Sequence, residues 1–190
     1  MKSDSLKVAK FGLEVATLVL NSGKQSEQER SLAHILSAVE AGRQFAVEIG
    51  ATDDEEADFE SGKIFDSIHL LDHIERLAER ASDRERAATV ISSKELSRQA
   101  KELAEELSTL AQQISSGGFP KEAGESIADR ARDMEEGRHH FRQQLMEEAK
   151  KEGMSGNTLD ELLDGRRWLR RVTYHAARIA YYAERLGTKD

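Results

Sequence analysis

Apolar residues recur every three or four positions along most of this chain, and charged residues fill the positions between them. This spacing puts the apolar side chains on one face of a helix, so it predicts long amphipathic α-helices rather than strands. Clusters of glycine, serine and asparagine interrupt the pattern and mark turns. The six predicted helices cover residues 4–20, 26–49, 53–86, 93–115, 120–151 and 158–187. We expect the third of them to bend or break near Ser82.

Capping residues stand at several of the predicted helix starts. At each of these starts a serine or threonine precedes a glutamate by three positions, a spacing at which the two side chains satisfy the free amides of the first turn. The pairs are Ser26 with Glu29, Thr52 with Glu55, Ser92 with Glu95 and Thr158 with Glu161. We therefore expect helices to begin at these positions.

The two halves of the chain resemble each other at a constant offset of 95 residues. The segment SLAHILSAVEAGR, which begins at residue 31, aligns with SIADRARDMEEGR, which begins at residue 126, and the same offset pairs Arg76 with Arg171 without a gap. A constant register across three helices predicts a duplicated unit. We therefore expect an all-α fold of two tandem three-helix bundles. The predicted bundles are residues 1–90 and residues 91–190.

Composition and charge exclude several classes of function. Charged residues make up 34% of the chain and aromatic residues 5%, which suits charged helices better than sheets. The net charge is -8 and acids alternate with bases, so no basic stripe is present to bind nucleic acid. The absence of cysteine excludes disulfides and thiolate metal sites. The most apolar run, residues 11–20, is too short to cross a bilayer, so we expect a cytoplasmic protein without membrane insertion.

Three carboxylates lie on the apolar side of the third predicted helix. At about 100° per residue, Asp72, Glu75 and Glu79 fall among the positions expected to be buried, close to Ile64 and Phe65. Carboxylates on such a face repel one another and lose hydration, which costs several kcal/mol each unless a cation or a proton compensates them. The sequence therefore predicts a positive charge against this face.

Two sources of this positive charge are open. One is a metal ion, such as iron, manganese, magnesium or zinc, because carboxylates four positions apart on a helix project to the same side. The other lies in the chain, since Arg43 and Arg138 fall on the apolar rows of the second and fifth helices. We interpret both arginines as core charge partners, and Arg43 can pair with Glu75 or Glu79 without any metal.

The sequence predicts that the histidines lie on the surface and that some aromatic residues of the last helix contact a partner protein. All six histidines are expected to be exposed: His34, His69, His73, His139, His140 and His175. In the last helix Trp168 falls on the apolar face. Beside that face, Arg170, Tyr174 and Tyr181 predict an exposed strip that contacts a partner protein.

Enzyme chemistry is not expected. Di-iron helical bundles use several Glu-x-x-His pairs that project into the core. Here Glu136 with His139 forms one such pair, and both residues point away from the apolar row. A carboxylate enzyme with two metal ions is therefore the least favoured alternative.

Two stretches resemble the PhoU family of phosphate-uptake regulators. HIERLAERA, at residues 73–81, is similar to the LERIGDHA type of signature in that family. WLRRVTYHAARIA, at residues 168–180, resembles the LERIADHAANIA region, although Arg170 and Tyr174 replace both acids. The resemblance implies two tandem three-helix bundles and metal-ligand roles for Glu75 and Glu79, with the second metal site lost.

The resemblance also implies a function. It suggests a non-enzymatic regulatory domain that docks onto a phosphate transporter or its regulatory proteins in the cytoplasm. Domains of this kind also occur as tails of sodium/phosphate cotransporters, so tethering at the inner membrane through a transporter is part of the expectation. The alternative is a structural or homo-oligomeric helical bundle without a ligand, in which internal arginines pair with acids.

Overall fold

The computed structural model describes residues 25–50, 57–115 and 121–187, and these residues form helices joined by short turns. The all-α prediction is confirmed. The predicted helix at residues 4–20 lies outside the described residues. The seven described helices are α1 (Gln25–Gly50), α2 (Ala57–Ala81), α3 (Arg84–Ser92), α4 (Lys94–Ser115), α5 (Lys121–Glu136), α6 (Arg138–Glu152) and α7 (Gly156–Gly187). None of these seven combines the length and the apolar content that crossing a membrane requires.

Two of the predicted helices are each divided in two. The break expected near Ser82 is confirmed, and the Asp83 side chain caps the start of α3 by accepting a hydrogen bond from the Arg86 amide at 3.3 Å. The predicted helix at residues 120–151 is interrupted at Gly137, which the hydrophobic pattern did not predict. Each break changes which side chains lie over the core, so it matters for the site.

Two helices begin with capping residues other than the predicted ones. At α4 the Oγ of Ser93 accepts a hydrogen bond from the Leu96 amide at 3.4 Å. At α7 the Oγ of Ser155 accepts one from the Thr158 amide at 3.1 Å. The capping residue of α4 therefore lies one residue after the predicted Ser92, and that of α7 lies three residues before the predicted Thr158. The other predicted pairs, at Ser26 and Thr52, lie outside the residues whose side chains are described.

Helix α7 is the centre of the described fold. It packs against α2, α3, α4, α5 and α6, while α1 packs on α2. One hydrophobic cluster runs through these contacts, and the partly buried Phe141 of α6 packs against it. Its large, fully buried members are Ile35, Leu70, Leu71, Ile74, Leu77, Leu96, Leu103, Leu107, Leu110, Ile127 and Leu169. Helices from both predicted halves thus share a core, and the division into residues 1–90 and 91–190 stays a prediction.

Close packing holds the middle of α7 in place. At Gly165 a Cβ atom would lie 3.2 Å from Cγ2 of Thr89 and 3.4 Å from Cγ2 of Val90, so the missing side chain lets α7 approach α3. Trp168 is 3% exposed, which confirms its predicted place in the core. Its indole nitrogen donates a hydrogen bond to the Arg80 carbonyl at 2.9 Å and so ties α7 to the end of α2.

Candidate functional site

The predicted carboxylate site lies between α1 and α2, where an arginine faces the acids. Nη2 of Arg43 donates a hydrogen bond to Oε2 of Glu75 at 2.6 Å and lies 3.8 Å from Oδ1 of Asp72. Asp72 also accepts a hydrogen bond from Nε of Arg76 at 2.9 Å. Glu79 is exposed one turn further along α2 and forms no ion pair with Arg43. The fold therefore brings Arg43, Asp72 and Glu75 together and leaves Glu79 outside.

The charges at this site compensate one another. The hydrogen bond that Arg43 donates to Glu75 raises the pKa of Arg43, so the guanidinium stays protonated. Burial alone would raise the pKa of Asp72, but the Arg76 guanidinium outweighs this effect and lowers it. This is the pairing that the arginine alternative predicts. In the described part of the chain no three histidine, aspartate or glutamate side chains converge as a metal site would require.

A double-mutant cycle on Arg43→Met and Glu75→Gln should give a coupling energy of about 0.5–1 kcal/mol. The value is modest because the side chains are 30% and 32% exposed, so water screens the pair. The measurement is urea denaturation of the full chain and its three variants. The same cycle on Arg132→Met and Asp129→Asn, which are 64% and 62% exposed, should give a coupling near zero. Equal couplings for the two pairs would contradict the assignment of Arg43 as a structural partner.

The prediction that Arg138 is a core charge partner is wrong. Its side chain is 60% exposed and pairs with Glu135 on the preceding turn at 3.0 Å. Arg138 directly follows the break at Gly137, and α6 buries only Leu145 and Ala149, so the apolar row of α5 has no neighbour to cover it at this position. Arg138 lies instead on the edge of a groove between the α5–α6 junction and α7.

The strip predicted on α7 is divided between two surfaces. Tyr174 is 50% exposed and Tyr181 is 44% exposed, as expected for a partner surface. Arg170 is half-buried and forms a short ion pair with Glu135 across the groove. The two tyrosines belong to a cluster of rings between α2 and α7, whereas Arg170 belongs to the groove.

The ring cluster is the feature that the sequence did not reveal. The rings of Phe65 and His69 lie 4.6 Å apart, and His69 stacks on Tyr182 at 5.2 Å. The Nδ1 atoms of His73 and His175 lie 3.1 Å apart, so one imidazole donates to the other. We call this group, completed by Tyr174 and Tyr181, the ring cluster.

The prediction that all histidines are exposed is wrong for His69, His73 and His175. His175 is 8% exposed, and His69 and His73 are partly buried. The reason is that two sides of α2 are covered, one by α1 and one by α7. The apolar pattern of the sequence predicts only one covered side. The signal that could have found the cluster is the four-residue spacing of Phe65, His69 and His73, which places their rings on one face of α2.

Burial keeps the two facing imidazoles neutral. It lowers the pKa of His73 to about 4, with the carboxylate of Asp72 opposing and the charge of Arg178 adding to the effect. Burial likewise lowers the pKa of His175 to about 4, and His73 and Arg76 add to it. A neutral pair can share one hydrogen bond, but two protonated rings at this distance would repel each other. We therefore expect protonation of this pair in acid to destabilise the contact between α2 and α7.

Comparisons of the chain with family models, with curated proteins and with solved structures find no significant match. The resemblance to PhoU therefore rests on the two short stretches of α2 and α7.

Proposed function

We propose that this protein is a non-enzymatic regulatory domain of the PhoU-like type, which acts by docking onto a partner protein. The observation that carries this proposal is a group of exposed rings on the α2–α7 seam. Phe65 is 64% exposed, and it is joined through the ring cluster to Tyr174 and Tyr181. We call these three residues the aromatic surface. The two-bundle organisation and the cytoplasmic location are parts of the same proposal.

The aromatic surface has the properties of an interface centre. Tyrosine and arginine are enriched among the residues that carry most of the binding energy at protein interfaces. Each exposed ring rests on another ring of the cluster: Phe65 on His69, Tyr181 on Tyr182, and Tyr174 on His73 and His175. These contacts hold the exposed rings in place, so little side-chain entropy is left to lose on binding. This support favours docking over a solvated surface without a function.

The charge next to the rings indicates the partner. The guanidinium of Arg178 lies 4.8 Å from the ring centres of Tyr181 and Tyr182, and that of Arg185 lies 5.7 Å from Tyr181. Arg185 is already paired with Asp66 at 2.7 Å, so Arg178 is the cation beside the exposed rings that complements a segment with apolar and acidic side chains. We therefore propose an acidic, amphipathic segment of a partner protein as the occupant, and the resemblance to PhoU assigns that partner to phosphate transport.

The test is direct binding of the full chain to purified phosphate-transporter subunits and their regulators from the same organism. The double variant Phe65→Ser, Tyr181→Ser should weaken binding by about 30-fold or more, as truncation of interface-centre residues does. Met146→Ser is the matched control, because Met146 is 43% exposed on α6 and should leave affinity unchanged. No binding to any of these proteins, or equal losses in the control, would refute the proposal.

A structural or self-associating bundle is the second candidate, and the pairing of Arg43 with Glu75 favours it. Sedimentation equilibrium separates the two. A dimer that the Phe65→Ser, Tyr181→Ser variant dissociates would mean that the aromatic surface binds a second copy. A metal ion bound by Asp72, Glu75 and Glu79 would have to displace Arg43 from Glu75. Neither the binding experiment nor the sedimentation experiment measures metal binding.

A further inference from the structure

A groove between the α5–α6 junction and α7 is lined mainly by arginines. Its volume is about 300 Å³. Arg138 and Arg142 enter it from successive turns of α6, and Arg166, Arg167 and Arg170 enter it from α7. We call it the arginine groove. Such a concentration of positive charge is unexpected in a chain whose net charge is -8.

The carboxylates near the groove do not balance its arginines. Glu135 is shared, since it pairs with both Arg138 and Arg170. Asp164 pairs with Arg167 at 2.5 Å. Within the described chain Arg142 pairs with no carboxylate, and the hydrogen bond of Arg166 goes to the neutral amide of Gln99. Five guanidinium groups thus share two ion-paired carboxylates, Glu135 and Asp164, so positive charge is in excess even though Glu95 also acts on Arg166 from a greater distance.

Arg166 is the most constrained of the five. Its Nε atom is buried without a hydrogen-bond partner in the described chain, and its guanidinium lies 4.8 Å from the Phe141 ring centre. Burial lowers the pKa of Arg166, the charge of Glu95 opposes this, and the neighbouring Arg170 adds to the lowering. A buried cation with an unpaired donor is unfavourable in the free protein, so an anion in the groove would relieve it.

We propose that the arginine groove binds a small anion that carries two phosphate groups. Guanidinium groups bind phosphate oxygens through two parallel hydrogen bonds, and an anion with two phosphate groups can pair with more of the five arginines than a single phosphate, a sulfate or a chloride can. A terminal phosphate carries about 1.5 to 2 negative charges at neutral pH and a second, linked phosphate adds about one, so a diphosphate brings about three negative charges to a groove with excess positive charge.

The dimensions and charge of the site argue against a larger ligand. A groove of about 300 Å³ is at the lower end of the range for small-molecule sites. The acidic chain around it would repel a longer polyanion such as a nucleic acid. A free pyrophosphate and the diphosphate of a nucleotide offer the same chemistry to the arginines. This inference does not depend on the proposed docking function.

Calorimetry of the full chain at low ionic strength tests it, with pyrophosphate as the probe. We expect saturable binding of about one equivalent, at least about tenfold tighter than binding of inorganic phosphate or sulfate, because fewer paired hydrogen bonds are available to those ions. If a nucleoside diphosphate binds as tightly as pyrophosphate, the site is assigned to nucleotides. If the nucleoside diphosphate binds much more weakly than pyrophosphate, the site is assigned to the free anion. Absence of saturable binding, or equal affinity for sulfate, would overturn the proposal.

Two variants with the same charge change locate the site. Arg142→Gln removes an exposed arginine of the groove that pairs with no carboxylate among the described residues, and it should weaken pyrophosphate binding by about tenfold. Arg171→Gln removes an exposed arginine of α7 that does not line the groove, and it should leave the affinity nearly unchanged. Equal losses in the two variants would mean that the anion responds to the general field of the protein, and the site would be refuted. Because both side chains are exposed, neither result depends on a change in folding.

Discussion

Acidification from about pH 7 to about pH 4.5 should lower the free energy of unfolding by about 2–4 kcal/mol through His73 and His175 alone. Both imidazoles have a pKa of about 4 in the fold, below the ordinary value of 6.5. Between these two values the unfolded chain binds more protons than the folded chain, so stability falls as the pH falls. The measurement is urea denaturation, followed by circular dichroism, at several pH values.

The variant His73→Gln, His175→Gln isolates this contribution. Glutamine keeps hydrogen-bonding groups in both positions but does not titrate, so the variant should lose less stability in acid than the native chain. The control is His139→Gln, His140→Gln, in which both replaced residues are exposed, and it should retain the native pH dependence. Asp72, Arg76, Arg80 and Arg178 also face the pair and remain in all three proteins. Parallel pH profiles for the native chain and the first variant would show that the pair is not the acid-sensitive contact.

The sequence predicted the helices well because each buries a regular apolar stripe. Along α2 the apolar stripe is buried at Leu71, Ile74 and Leu77. The expectation that Phe65 is buried is wrong, since Phe65 is 64% exposed, because the stripe is covered only where a neighbouring helix reaches. Periodicity gives the face of a helix that is apolar, but not the length over which another helix covers it.

The candidate site was predictable to the extent that it depends on one pair of adjacent helices. Arg43 was found because it interrupts the apolar row of α1, and Glu75 because it lies on the apolar side of α2, and these two elements are packed together. The prediction for Arg138 failed because the apolar row that contains this residue continues across the helix break at Gly137. The histidine pair joins residues about 100 positions apart, and no local pattern states that α2 packs against α7.

Replacement of Ile179 by alanine should lower the free energy of unfolding by about 3–4 kcal/mol, because Ile179 is fully buried and its truncation leaves a cavity in close-packed surroundings. The same replacement at Ile91, which is 36% exposed on α3, should cost less than about 1 kcal/mol. Denaturation of both variants is best followed by far-ultraviolet circular dichroism and by the fluorescence of Trp168.

The two signals distinguish one cooperative unit from two independent bundles. Trp168 reports on α7, whereas circular dichroism reports on every helix. Because α7 packs against α2 and against α5, we expect Ile179→Ala to shift both transitions together to lower urea concentrations. If the fluorescence changed first while a large part of the helical signal persisted, residues 1–90 would hold their structure without α7. In that case the two predicted bundles would be independent domains, and the histidine contact between α2 and α7 would join them.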